Sequence, residues 1–100
     1  MMCLKGSVNM EFIHENNQIV VYSPDKKILA EVDFPLEADG MVNVNHTFVD
    51  DSLRGQGVAG KLMEELVAAL RKTGTKARLS CSYAVSWFGK HPECGDVLHE

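Results

Sequence analysis

One hundred residues, 45% hydrophobic and 24% charged, suffice for a single modest core and no more. A formal net charge of −4 argues against general nucleic-acid affinity, and no apolar run approaches the ~18–20 residues of a membrane span. Cys3, Cys81 and Cys94 are too widely spaced for a disulfide framework, and Met1 to Lys5 lacks a signal-peptide pattern, so the expectation is one cytoplasmic domain, residues 1–100, with its core between about 10 and 92.

In chain order, Glu11 to Glu15 and Gln18 to Tyr22 flank Asn16-Asn17, a hairpin-turn signal. Pro24-Asp25 turns the chain into Lys27 to Phe34, where Ile28, Ala30, Val32 and Phe34 alternate with Leu29, Glu31 and Asp33. Asp39-Gly40 is the next turn. After it, Val42, Val44, His46 and Phe48 share one face of a fourth strand, with Asn43, Asn45 and Thr47 opposite. Period-two counting therefore puts His46 on the apolar side. The period then changes: Ala59, Leu62, Met63, Leu66, Val67 and Leu70 recur at helical spacing from Val58 to Lys72, and Gly74 terminates the pattern. Ala77 to Cys81 reads as a short fifth strand. Ser82 to Phe88 reads as a second helix, with Tyr83, Ala84, Trp87 and Phe88 on its apolar side and His91-Pro92 ending it. The last eight residues read as a frayed tail. The predicted class is α+β, an antiparallel four-strand meander followed by helix, fifth strand and second helix, ββββαβα.

Chemistry concentrates in Arg54-Gly55-Gln56-Gly57-Val58-Ala59-Gly60, between the fourth strand and the first helix. Glycines at such a junction let the backbone approach a ligand, and the free N–H groups of the first helical turn favour an anion. Three phosphate-binding templates compete here. Gly55, Gly57 and Gly60 fit the dinucleotide fingerprint, yet the region about 20 positions on, Gly74 to Ser80, offers no carboxylate for a ribose, and too little chain follows for a doubly wound sheet. Gly55 through Lys61 fit most of a P-loop, but Leu62 stands where a magnesium-binding hydroxyl belongs.

The third template, Arg-x-x-Gly-x-Ala, is met by Arg54, Gly57 and Ala59. It is the pyrophosphate signature of the GNAT acetyltransferases. The run from His46 to Ala59, together with Ser80-Cys81-Ser82-Tyr83, resembles a small single-domain branch of that superfamily over roughly residues 10 to 92. The resemblance implies a trimmed GNAT-like fold whose fourth and fifth strands splay to receive the pantetheine arm of acetyl-CoA. It implies main-chain N–H groups from Gly55 to Gly60 around the diphosphate, with Arg54 on a phosphate or holding the loop. Val49, Gln56, Val58, Ala59, Lys61 and Ser82 complete the expected coenzyme A site. The chain has little room for the parts that shape the acceptor site in larger members, so the acceptor is an unassigned amine.

Acetyl transfer needs a bound donor, a deprotonated acceptor, a stabilised oxyanion and a proton for the departing thiolate. Cys81, at the end of the fifth strand, stands where the resemblance puts the thioester; it is either an acetyl carrier or a small buried hydrophobe. His46 is either a core histidine or a base, and Tyr83 either a proton donor or a packing residue. Asn43, Asn45 and Ser82 are possible polar contacts to pantetheine or acceptor. The basic run Arg71, Lys72, Lys76 and Arg78 either raises potential for the coenzyme's phosphates or complements a helix C-terminus. His91, Cys94 and His99 lack a ligand pattern, so no metal is expected. Cys3 and Cys94 have no functional context, and Trp87 and Phe88 read as core. The expected function is acetyl-CoA-dependent N-acetyl transfer to a small-molecule or protein amine. The alternatives are a coenzyme A or acyl-CoA binding module without turnover, and an interaction protein whose glycines serve packing. No nucleic-acid or membrane partner is expected, and nothing marks a dimer face.

Overall fold

The computed structural model describes residues 11–99, so Cys3 lies outside the described residues. Strands β1 (Ile13–Glu15), β2 (Gln18–Tyr22), β3 (Ile28–Asp33) and β5 (His46–Val49) form an antiparallel sheet in that order. Asn17 makes the β1–β2 turn with φ 58°, a left-handed conformation asparagine tolerates, and its Nδ2 donates to the Phe34 carbonyl at 3.0 Å. Between β3 and β5 lies β4 (Val42–Val44), which leaves this sheet and pairs in parallel with β6 (Ala77–Leu79).

The fourth strand of the sequence reading is thus two strands, broken at Asn45. Val44 is fully buried, but Asn45 and His46 are both exposed, so the alternation slips at the break. Asn45 N–H donates to the Asp33 carbonyl at 3.2 Å, which fastens the break to β3. The slip overturns one expectation directly: His46 faces solvent, not the core.

Helix α1 (Val58–Thr73) buries Val58, Leu62, Met63, Leu66, Val67 and Leu70 in one core with Ile19, Val21, Ala30 and Val32 of the sheet. Each such side chain contributes ~1.5–3 kcal/mol by leaving water. At its end Gly74 adopts φ 69°, where its N–H reaches the Arg71 and Leu70 carbonyls and Thr75 N–H reaches Leu70 at 3.0 Å. Helix α2 (Ser82–Gly89) adds Ala84, Trp87 and Phe88 to the core. The expected frayed tail is instead built in. Pro92–Val97 forms a 3-10 segment, Val97 is 2% exposed, and His99 N–H donates to the Ala77 carbonyl at 2.9 Å. The apolar Val97 and Leu98 find room beside β6, and that burial outweighs the loop-like composition around them. Among the described residues, no helix is long and apolar enough to cross a membrane.

Candidate active site

The entry to α1 follows from its residues. Asp50 Oδ2 accepts from Ser52 N–H and its hydroxyl, at 2.9 and 2.6 Å, capping a 3-10 turn at Asp51–Leu53. The Ser52 hydroxyl beside it holds the Asp50 carboxyl below its usual range. Gly55 (φ 80°) and Gly57 (φ 73°) then take left-handed conformations that a side chain would strain. Gly57 is the N-cap and offers no side chain to close the helix. The first helical bond among these residues runs from Lys61 N–H to the Gly57 carbonyl at 3.1 Å, so the N–H groups of Val58, Ala59 and Gly60 precede the helical ladder. No acidic residue stands in this first turn. The result is an uncapped positive helix end.

That end opens on a cleft of about 220 Å³. Of the expected donor residues, Val49, Arg54, Gly55, Gly57, Val58, Ala59 and Gly60 line it, together with Tyr83 from α2. Gln56, Lys61 and Ser82 are not among its walls. Gln56 Nε2 is bound to the Ser52 carbonyl at 3.3 Å, and the exposed Lys61 extends the helix. Arg54 Nε pairs with Asp51 Oδ1 at 2.9 Å, which stiffens the turn. Gly60 sits under α2: a Cβ there would lie 3.6 Å from Trp87 Nε1 and 3.9 Å from Tyr83 Oη, so a larger side chain would push into that layer. Burial raises the Tyr83 phenol above its usual range, which keeps its proton on at neutral pH.

Cys81 stands where the two sheets part. Ser80 N–H and Cys81 N–H both donate to the Val44 carbonyl at 3.0 Å; beyond it β5 turns toward β3 while the other chain enters α2. The Cys81 thiol bridges the parting by donating to Thr47 Oγ1 at 3.5 Å. As N-cap of α2, Cys81 also faces that helix's first-turn amides. Burial pushes its thiol up, but the hydrogen bonds with Thr47 and the main chain of Ala84 and Tyr83 outweigh that, and the net shift is downward. Thr47 was missed by sequence reading because it was counted only as the polar side of a strand. Its place in the His46–Val49 run was the available signal.

His46 does not touch Cys81. Successive residues of β5 point to opposite faces, so Thr47 meets the thiol while His46 projects outward, with Nε2 3.8 Å from Glu31 Oε2. Of the other sequence candidates, Asn43 is engaged with Glu37 and Ser80, and Asn45 occupies the strand break. The basic run is not at the donor site. Arg71 pairs with Asp96 at 2.7 Å, Lys76 reaches the Asp96 carbonyl, and Arg78 pairs with Glu37 and Asp39 at 2.8 and 2.6 Å. Arg71 and Lys72 occupy the last turn of a 16-residue helix, ~21–22 Å from Gly57 at 1.5 Å per residue. Local charge at this end of α1 serves the fold. His91 stacks on Trp87 at 3.9 Å and binds the Trp87 carbonyl through Nδ1, a packing role.

The site's parts agree with what the chain resembles. Residues 15–97 match the family described as GCN5-related N-acetyl-transferase. A solution structure of a GCN5-like candidate N-acetyltransferase from Staphylococcus aureus is 30% identical, with a TM-score of 0.76 over 93% of this chain and 91% of that one. Two larger proteins share the fold. A GNAT-family acetyltransferase of Staphylococcus aureus Mu50 is 13% identical (TM-score 0.59), and a candidate acyl-CoA N-acyltransferase of Klebsiella pneumoniae is 21% identical (TM-score 0.55). This chain aligns with 74% of its own length to each but spans only 50% and 56% of theirs. No curated protein matches it. The uncapped glycine turn, the parted strands and the match along most of the chain converge: the chain belongs to the GCN5-related N-acetyltransferase family, enzymes that transfer an acyl group from an acyl-CoA to an amine.

Proposed function

We propose that the chain is a one-domain, acetyl-CoA-dependent N-acetyltransferase that works through Cys81. The observation that carries this reading is the open α1 turn, whose cleft is walled by Val49 and Tyr83, each two residues on from the Thr47–Cys81 contact that helps lower the thiol's pKa. Backbone N–H groups from Gly55 to Gly60 hold the diphosphate, and the pantetheine arm follows Val49 into the gap between β5 and Cys81. The Cys81 thiolate attacks the thioester carbonyl. The bond from that carbon to the coenzyme's sulfur breaks, leaving S-acetyl-Cys81 and a coenzyme A thiolate, which takes its proton from Tyr83. An acceptor amine, arriving unprotonated, then attacks the acetyl carbon, the Cys81 thiolate leaves, and the new amide sheds its extra proton to solvent; His46, on the other face of β5, takes no part.

Intact-mass measurement after incubation with acetyl-CoA tests this. One acetyl adduct is expected, absent from Cys81→Ala and discharged by added amine. Equal turnover by Cys81→Ala would show direct transfer instead. A second reading, a coenzyme A binding module without turnover, is favoured by His46 facing away from Cys81. It predicts a raised melting midpoint with acetyl-CoA and no released thiol with any amine.

A further inference from the structure

Gly60 is the one glycine of the donor turn whose backbone does not call for it. Gly55 and Gly57 stand at positive φ, whereas Gly60 carries ordinary helical backbone inside α1. A glycine there costs helix stability relative to alanine. Packing does not demand it either. The atoms nearest to an added Cβ, Trp87 Nε1 at 3.6 Å and Tyr83 Oη at 3.9 Å, stand at ordinary contact distance. What an alanine would do is fill the space in front of those two polar tips.

Trp87 is 7% exposed, stacked on His91 at 3.9 Å and edge-on to Phe88 at 5.0 Å, so the orientation of its ring is fixed. The indole nitrogen is its one polar side-chain atom and can only donate. A buried indole N–H usually finds an acceptor. Among the described residues this one has none; His91 Nδ1 binds the Trp87 carbonyl instead, at 2.7 Å. No side-chain nitrogen or oxygen of the described residues is both fully buried and unpartnered, so Trp87 Nε1 reaches open space. The space beside Gly60 and Tyr83 is the donor cleft, which both residues wall. At its floor the N–H groups of Val58, Ala59 and Gly60 precede the helical ladder, and no acidic residue stands in that turn. A fixed indole donor beside free main-chain donors suits an anionic oxygen.

We propose that Trp87 is a donor-binding residue. Its indole N–H bonds an oxygen of the acyl-CoA diphosphate, seated in the space that a Cβ on Gly60 would take. Gly60 is then a glycine for the ligand and not for the fold. Cys81 is the N-cap of the helix that carries Trp87, so the contact also sets how α2 presents its thiol along the bound donor. This contact rests on the function proposed above, in which the α1 turn holds the diphosphate.

The chain has a single tryptophan, so one indole nitrogen–proton resonance reports on this contact alone. In a titration of the full chain with coenzyme A, that resonance should move downfield and exchange more slowly with water as the Gly55 and Gly57 amides shift. Pantetheine, which has no phosphate, should leave it in place. Gly60→Ala should melt at or above the parent's midpoint and bind coenzyme A about tenfold more weakly. At saturation its turn amides should still shift while its indole no longer does. Trp87→Phe keeps an aromatic ring against His91 and Phe88 but has no N–H, and should lose a similar factor. An indole unmoved by coenzyme A while the turn amides shift would overturn the proposal and leave the donor site standing. So would unchanged affinity in Gly60→Ala, or an indole shift reproduced by pantetheine. If neither the turn amides nor the indole moves, the diphosphate cradle itself fails, and this contact with it.

Discussion

The two ends of α1 are built from the same residue type and do opposite things. Gly57 and Gly74 both adopt left-handed backbone, at φ 73° and 69°. At the far end every device for closing a helix is present. Gly74 and Thr75 return their N–H groups to the last turn, and Arg71 ties that turn to Asp96. At the near end those devices are missing: no side chain caps Gly57 and no acid complements the dipole. A glycine at a helix end is thus not in itself a sign of function. What distinguishes the near end is that its polar groups are left for something else.

The sharpest way to break the comparison is to fill the near end. A Cβ on Gly57 meets no protein atom within 4 Å, so Gly57→Glu projects a carboxylate into the donor cleft without a clash, at ~1 kcal/mol of left-handed backbone strain. We expect at least a hundredfold loss of acetyl-CoA affinity in a chain whose circular dichroism stays that of the parent. Next in size is the thiol. Thr47→Val removes the hydroxyl that meets Cys81 while keeping the side chain's shape. The thiol's pKa should rise toward its ordinary range, and alkylation of Cys81 by iodoacetamide at pH 7 should slow several-fold, with Thr47→Ser close to the parent. The parent's alkylation rate should climb with pH and level off below the range of an ordinary thiol, because the thiolate is already formed there.

The far end should respond in stability alone. Gly74→Ala places a side chain at positive φ and should cost ~1 kcal/mol, a fall in melting midpoint of several degrees, with donor affinity unchanged. Arg71→Ala should lower the midpoint slightly and leave the acetyl-CoA KM as it was. A raised KM would restore Arg71 as a phosphate ligand.

Much of this was legible in the residues. The predicted helix from Val58 to Lys72 is observed as Val58–Thr73, and the Asn16-Asn17 turn and the order ββββαβα hold once the fourth strand is split. Local periodicity and turn chemistry decide such elements. The split at Asn45 was not legible, because counting by two assumes an unbroken strand, and that assumption turned His46 inward. The ordered tail was missed because the Pro92–Val97 segment packs on α1 and α2, which bury Val97 in the core, and not on its neighbours in sequence. The donor turn was readable since its residues are consecutive. The Cys81–Thr47 and His46–Glu31 groupings unite distant segments and needed the fold.

The central claim is that the uncapped turn of α1 grips the diphosphate of an acyl-CoA. Amide resonances of the full chain, followed by nuclear magnetic resonance during titration with coenzyme A, test it most directly. The largest shifts are expected at Gly55 through Lys61, with Gly74 through Lys76 unmoved. Shifts confined to the far end, or none at the glycine turn at saturating coenzyme, would contradict it.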